Sequence, residues 1–561
     1  MHLADFTYLG LFLAILLGLT PLCGRWLAAV LQGRPPGWLG WMRPLERAIY
    51  RLGGVQADQD MSWRSYAGAL LVFHLVGFVT LLALQLAQQH LPLNPQGFAA
   101  VPLGVAVNTA VSFITNTNWQ AYSGEASLSY LTQMAGLGVH NFLSAATGLA
   151  VMAAVARGFA RKSATGVGNF WADLVRTMLY VLLPLSFVLA VVLVTQGVVQ
   201  SFAPYAGATT LAGTEQVVPL GPAASQVAIK QLGTNGGGFF GVNSAHPLEN
   251  PTPLSNFLQT LAILLLPAAC VHAYGLLAGA RRHAAVVFGV MLFFFAAALG
   301  LSLWSEYASP GTATLALEGK EVRFGVTPSV LWANATTVAS NGSVNAMHSS
   351  LAPLTGGIAL FNMLLGEVIF GGIGSGLYGM VALIILAVFL AGLMVGRTPE
   401  YLGKKIEAFE VRMAALAVLL PCAGVLLGCA MSFATGAGRG AAGNAGPHAL
   451  TEILYAWGSM TNNNGSAFGS LTATGDLYTW GGSVAMLLGR FGVIVPLLAL
   501  AGRLAAKKTV PASSGTFPTD GPLFAVLLAG VILIVTALTY FPALTLGPVL
   551  EHLLLAAGRS F

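Results

Sequence analysis

One short phrase of small hydroxyl, amide and glycine residues occurs four times. The copies are Thr115-Asn116-Thr117-Asn118, Thr234-Asn235-Gly236-Gly237, Ser340-Asn341-Gly342-Ser343 and Asn463-Asn464-Gly465-Ser466. They are spaced by roughly 105 to 125 residues, which marks an internal repeat. Each copy closes a short, mostly apolar stretch and precedes a long one. Such residues bend the chain sharply and expose backbone carbonyls. Four such loops brought to one axis would make a ring of oxygen ligands for a dehydrated cation. Asp and Glu are missing from all four phrases. The ring would therefore work through carbonyl and hydroxyl dipoles, holding a monovalent ion well enough to admit it and weakly enough to release it. A single copy would be an ordinary turn; four in the same place relative to their flanks point to a shared site.

Composition says what must position these loops. The 561 residues are 56% hydrophobic and only 8% charged, with a mean hydropathy of +0.76. A soluble domain carries about 25% charged residues. The chain therefore reads as an all-α polytopic membrane protein. Its net charge of +6 does not indicate nucleic acid, because the basic residues sit in short loops between apolar segments. Cys23, Cys270, Cys422 and Cys429 lie in or beside apolar segments without metal-ligand spacing and read as buried thiols. The first apolar segment has no Lys or Arg before it and no clear cleavage site after it, so it reads as a retained helix.

About ten crossings are predicted, over residues 6–23, 66–91, 128–156, 174–199, 257–278, 284–304, 351–395, 413–433, 482–501 and 524–541. Four further apolar segments, 105–114, 224–232, 329–338 and 449–458, are too short to cross a core of about 30 Å and lead straight into the four phrases. The run 351–395 is too long for one helix and is interrupted at 366–376, so it reads as one crossing broken by an intramembrane loop. Basic residues follow the odd-numbered crossings, from Arg25 to Arg64, at Arg157, Arg161 and Lys162, at Arg281 and Arg282, from Arg397 to Arg412, and from Arg503 to Lys508. By the positive-inside rule these loops are cytoplasmic, and about nineteen of the 25 Lys and Arg residues fall on that side. Both termini and all four phrases are then expected outside. The unit is helix, short re-entrant helix, loop, helix, four times in one chain, as in tetrameric potassium channels built from four copies. The predicted divisions are 1–64 (extra helix and cytoplasmic loop), 65–173, 174–283, 284–411 and 412–508 (the four pore repeats), and 509–561 (a last extra helix).

Other residues extend the site. In the first loop Thr117 is paired by sequence with Gly236, Gly342 and Gly465, and Gln120 follows Trp119, where its amide is placed to project toward the entrance or to act as a structural hydrogen-bonding group. Arg490 and Glu367 are intramembrane charges, which by default are functional and are paired or face water. Arg490 is expected beneath the filter as an electrostatic plug. Glu367 is expected to line an ion path or to pair with a neighbouring cation, and Gly371, Gly372, Gly374, Ser375 and Gly376 are assigned with it to a gating loop or tunnel. His246 and His348 follow two of the loops and read as packing residues. A phosphate-binding loop, an aspartyl-phosphate motif and a soluble domain large enough for a nucleotide are all missing, so the chain reads as non-catalytic.

The segments 115–125, 234–240, 340–343 and 462–468 resemble KdpA, the potassium-binding subunit family of the bacterial Kdp potassium-transporting ATPase. The resemblance covers essentially the whole chain, and 366–379 is similar to the family's intramembrane gating loop. It implies a potassium-transporter fold with four pore-loop repeats in the bacterial inner membrane. It further implies that potassium enters from the periplasm through the filter and passes along an intramembrane tunnel to a P-type ATPase subunit. A small single-helix subunit and a lipid-like accessory subunit would complete the complex. Potassium is then the transported ion, no nucleotide is bound by this chain, and membrane lipid is its other partner. A stand-alone potassium channel or ion-coupled symporter of the same superfamily is the alternative, because four pore loops alone do not separate them.

Overall fold

The computed structural model describes residues 1–308, 317–511 and 516–559. Among these, ten helices are long and apolar enough to cross a membrane: Leu3–Leu31, Trp63–His90, Thr132–Ala160, Phe170–Thr195, Pro253–Leu277, Arg281–Ala308, Ser375–Met394, Ala408–Ala434, Leu477–Ala506 and Pro522–Ala556. Their ends differ from the apolar cores legible in the sequence by a few residues in most cases, and the first and last run on well beyond them. Four pore helices, Leu103–Ile114, Ala223–Leu232, Val326–Val338 and Gly446–Thr461, precede the four phrases. At 1.5 Å per residue none spans a bilayer core.

The second to ninth crossings and the pore helices form four helix–pore helix–helix repeats, with the first and last crossings added at the ends. In the third repeat the inner helix is broken. Pro353–Leu364 stops, the chain is non-helical over 365–374, and Ser375–Val395 resumes. Gly366, Glu367, Phe370, Gly371 and Gly374 all have positive φ there. Non-helical backbone at membrane depth needs protein around it, and residues 368–374 are buried. The only strands among the described residues are two small antiparallel pairs, Ala206–Thr209 with Glu215–Val218 and Glu400–Tyr401 with Lys404–Lys405.

The inner helices of the repeats form the middle of the bundle. Val139–Ala160 is rich in Ala, with Gly148, Gly158 and Ser144 among its other small residues, and it is buried nearly throughout. Small residues let membrane helices approach closely. A Cβ on Gly158 would stand 2.8 Å from Ala501 Cα, and one on Gly148 would overlap the Ile373 carbonyl. At the basic end of the bundle, Arg157 grips Asp173 with two hydrogen bonds of 2.5 and 2.7 Å, and Tyr66 donates to the same carboxylate at 3.0 Å. Asp173 is buried. Asp173→Ala would strand the Arg157 guanidinium and is expected to cost about 3–5 kcal/mol, measured as a lower thermal midpoint of the detergent-solubilised protein.

Candidate functional site

The four pore helices end in the same way. The N–H groups of Thr117, Asn235, Asn341 and Asn464 donate to the carbonyls of Ser112, Lys230, Thr336 and Ser459 at 2.9, 2.9, 3.1 and 2.8 Å. Positive φ falls just before these residues, at Asn116, Thr234, Ser340 and Asn463, and just after them, at Asn118, Gly236, Gly342 and Gly465. This shared geometry corrects the sequence pairing of the first loop. Asn118, with φ of 51°, and not Thr117, stands where the other loops have glycine. Thr117 is the counterpart of Asn235, Asn341 and Asn464, and Thr115 caps its helix as Gly233, Ala339 and Asn462 cap theirs. Asparagine visits the left-handed region with little penalty, so the loop keeps its turn without glycine, and the phrase read from sequence starts one residue early.

These loops close on one another in a ring. A Cβ on Gly236 would overlap the carbonyl of Asn341, one on Gly342 that of Asn464, and one on Gly465 that of Thr117. Side chains tie the same neighbours together. Asn235 Nδ2 donates to Asn116 Oδ1 at 2.5 Å, Asn341 Nδ2 to the Lys230 carbonyl at 3.1 Å, and Asn464 Nδ2 to the Thr336 carbonyl at 2.9 Å. Asn463 Nδ2 closes the circle on Thr117 Oγ1 at 2.9 Å, and Thr117 Oγ1 meets Thr115 Oγ1 at 2.7 Å. Ser343 and Ser466 each bond the Asn Oδ1 of their own loop through backbone N–H, both at 3.0 Å. The asparagines thus act as braces and leave the backbone to face the axis. Among the described residues no N–H or O–H is directed at the carbonyl oxygens of Thr117, Asn235, Asn341 and Asn464. Buried carbonyls are rarely left without a partner, so four of them, one per repeat, form a candidate cation-binding set.

Beneath the loops lies a cavity of about 100 Å³ whose lining includes Ser340, Glu367, Ser375, Gly376, Asn463 and Arg490. Both intramembrane charges are buried there. Arg490 donates to the Ser144 carbonyl at 3.0 Å and to the Tyr378 hydroxyl at 3.4 Å. Among the described residues it has no carboxylate partner, and Glu367 has no cationic one. Glu367 accepts from Asn464 Nδ2 at 2.6 Å, which couples the broken helix to the fourth loop. The break also supports the second and third loops. Ile373 N–H donates to Thr234 Oγ1 at 2.8 Å and Gly371 N–H to the Val338 carbonyl at 3.1 Å. Gly374, with φ of 78°, lies against the Gly148 carbonyl, Gly371 packs on Gly376, and Gly372 sits beside Ser340.

Residues 10–553 match the sequence family KdpA, described as potassium-transporting ATPase A subunit. The chain belongs to the KdpA family. It is 57% identical over 566 residues to the "Potassium-transporting ATPase potassium-binding subunit" of Sorangium cellulosum, covering 97% of this chain and 98% of that one. Relatives with the same title in Pseudomonas entomophila and Herpetosiphon aurantiacus are 54% and 53% identical, each covering at least 98% of both chains. Among solved structures, the potassium transporter TrkH of Vibrio parahaemolyticus is similar, with a TM-score of 0.51 and 14% identity over 87% of this chain and 97% of that one. That likeness concerns the fold, which is the pore-loop architecture of four helix–loop–helix repeats.

Above the ring, this member of the KdpA family has an open vestibule of about 850 Å³, lined by Asn118, Gln120, Gly237, Gly342, Gly465 and Ser466 among others. Gln120 spans two loops there. Its Oε1 accepts from Gly238 N–H at 2.8 Å and its Nε2 donates to the Gly238 carbonyl at 3.0 Å. Its amide therefore holds the second loop and does not point freely at the entrance. His246 stacks on Phe240 with centroids 3.9 Å apart, and His348 bonds Tyr455 at 2.8 Å. Two residues beside the site escape the sequence reading. Lys230, on the second pore helix, forms a buried ion pair with Glu249 and donates to the Gly237 carbonyl at 2.8 Å. The signal was present: a lysine inside a re-entrant apolar segment is an intramembrane charge, like Arg490.

Proposed function

We propose that the chain is the potassium-binding, ion-selecting subunit of an ATP-driven potassium import pump. The observation that carries this reading is the ring of four undonated carbonyls, one from each repeat, in a chain of the KdpA family. Such a ring replaces the hydration shell of a monovalent cation, and its spacing and field favour one ion over another. The titles of the relatives, which name a potassium-binding subunit of an ATPase, support potassium as the ion. In this reading the filter comprises Thr115 to Trp119, Thr234 to Gly237, Ser340 to Ser343 and Asn463 to Ser466, and the wide vestibule above it opens to the periplasm.

Potassium loses its water in the ring and then enters the cavity lined by Glu367 and Arg490. Arg490 opposes simple passage onward to the cytoplasm. Residues 366–376 gate a lateral tunnel to the P-type ATPase subunit, which supplies the energy. Bonds from this break to Thr234 and Val338 support such coupling, because movement of the break would be felt by the second filter loop and the end of the third pore helix. The chain sits in the bacterial inner membrane with both termini periplasmic and works with the catalytic, single-helix and accessory subunits. Its divisions are the four pore repeats and two flanking helices given above.

Potassium uptake and potassium-stimulated ATP hydrolysis, measured with the chain alone and with the ATPase and its companion subunits, test this function. Activity only in the assembled complex is the expected result. Uptake by the chain alone, without ATP, would overturn the pump-subunit reading in favour of a channel or symporter.

A further inference from the structure

Lys230 breaks the fourfold pattern of the pore helices. At the position whose carbonyl receives the loop N–H, the other three repeats carry Ser112, Thr336 and Ser459. Each is a small hydroxyl, and Ser459 Oγ accepts from Gly465 N–H at 2.9 Å. The second repeat instead carries a long cation. Lys230 and Glu249 are completely buried. The Lys230 ammonium pairs with the Glu249 carboxylate, donates to the Gly237 carbonyl at 2.8 Å and reaches Ser244 Oγ at 3.4 Å. The second carboxylate oxygen of Glu249 accepts from Phe239 N–H at 3.1 Å and from Phe240 N–H at 3.3 Å. From the opposite side Gln120 holds both backbone groups of Gly238.

The effect on the carbonyl layers is unequal. In the layer of Thr117, Asn235, Asn341 and Asn464, no donor among the described residues reaches any of the four oxygens. Two residues further out, the layer comprises Trp119, Gly237, Ser343 and Ser466. There the Gly237 carbonyl is taken by Lys230 and the Ser343 carbonyl by Trp332 Nε1, each at 2.8 Å. A carbonyl bonded to a buried ammonium is turned from the ion path and its field is offset. The inner ring is complete, while the outer layer keeps two oxygens of four.

From this we infer that the Lys230–Glu249 pair is a clamp that sets the ion preference of the filter, by withdrawing the Gly237 carbonyl so that ions are coordinated by the complete inner ring. Lys230 is a positioning residue, because it acts through the Gly237 carbonyl. The inference rests on the filter reading above. It predicts that freeing an outer carbonyl relaxes selection, whichever donor is removed.

Two variants test it in the complex of this chain with the ATPase and companion subunits. Removing only Lys230 would leave Glu249 buried and unpaired, so the first variant is the charge-neutral double Lys230→Met/Glu249→Gln, in which the amide oxygen still accepts from Phe239 and Phe240. The second is Trp332→Phe, which frees the Ser343 carbonyl without touching the ion pair. ATP hydrolysis is titrated with potassium, rubidium, ammonium and sodium, and assembly is followed by size-exclusion chromatography. Both variants are expected to assemble, to need about tenfold more potassium for half-maximal activity, and to respond to rubidium and ammonium, with the maximal rate changed by less than about twofold. Assembled variants with unchanged half-saturation and ion order would overturn the clamp. Failure of both to assemble would also overturn it, by making the pair purely structural. A wild-type complex with no potassium dependence would instead refute the filter reading itself.

Discussion

Replacing Gly236 with aspartate is expected to destroy potassium discrimination. Gly236 has φ of 77°, and any Cβ placed on it would overlap the carbonyl of Asn341 and crowd Ser343 N–H. The backbone conformation is not the main obstacle, because asparagine holds the equivalent position in the first loop at φ of 51°. The obstacle is the neighbouring loop. The carbonyl that must move is one of the four that form the ring, and it moves because Gly236 and Asn341 are packed against each other. Aspartate then adds a carboxylate beside dipoles whose selectivity depends on being neutral. The displaced carbonyl weakens coordination of potassium, and a fixed negative charge favours the more compact sodium ion over it. Half-saturating potassium is expected to rise at least about tenfold, equivalent to about 1.4 kcal/mol, and sodium and ammonium should become competitive in uptake assays. Gly342→Ala and Gly465→Ala, which drive a Cβ into Asn464 and Thr117, are expected to act in the same direction without the charge. An aspartate variant with intact selectivity over rubidium, ammonium and sodium would refute the filter assignment.

Neutralising Arg490 is expected to open a passive leak. Arg490 is buried beneath the ring, its guanidinium is held by the Ser144 carbonyl and the Tyr378 hydroxyl, and no carboxylate among the described residues offsets its charge. At an effective dielectric of about 20, a unit charge about 8 Å from a cation raises that cation's energy by about 2 kcal/mol. That corresponds to about a thirtyfold lower rate of passage. Arg490→Gln keeps a donor for the Ser144 carbonyl and removes the charge. In proteoliposomes without ATP, rubidium flux through the complex is expected to increase by about tenfold or more, while Arg490→Lys stays tight. Unchanged passive flux in the glutamine variant would contradict the plug.

Hydropathy and basic-residue spacing were enough to locate the ten crossings and four pore helices, because membrane burial acts on whole segments. Helix ends were less legible: the first crossing reads as 6–23 but extends over Leu3–Leu31, since the single charge of Arg25 interrupts the apolar run while the helix continues through Trp26 to Leu31. The short hairpin Ala206–Thr209/Glu215–Val218 was also unread, being too brief and too exposed to show a burial pattern. At the site, glycine marked the positive-φ position in three loops. In the first loop Thr115, Asn116, Thr117 and Asn118 spell an alternation with no glycine to set the frame, and the frame slipped by one residue. Only hydrogen bonds back to Ser112 restore it. The asparagine braces were visible as residues but not as braces, because Asn235 bonds Asn116 and Asn464 bonds Glu367 across long separations in the chain. The same holds for Lys230, whose partner Glu249 lies beyond the filter loop.

The four carbonyls of Thr117, Asn235, Asn341 and Asn464 are the proposed binding site of the transported ion. Thallium, a monovalent surrogate for potassium with strong anomalous scattering, tests it most directly in crystals of the assembled complex. An anomalous peak is expected on the axis between these four oxygens, lost on adding excess potassium and absent in Gly236→Asp. A thallium peak elsewhere in the chain, with none between the four loops, would contradict it.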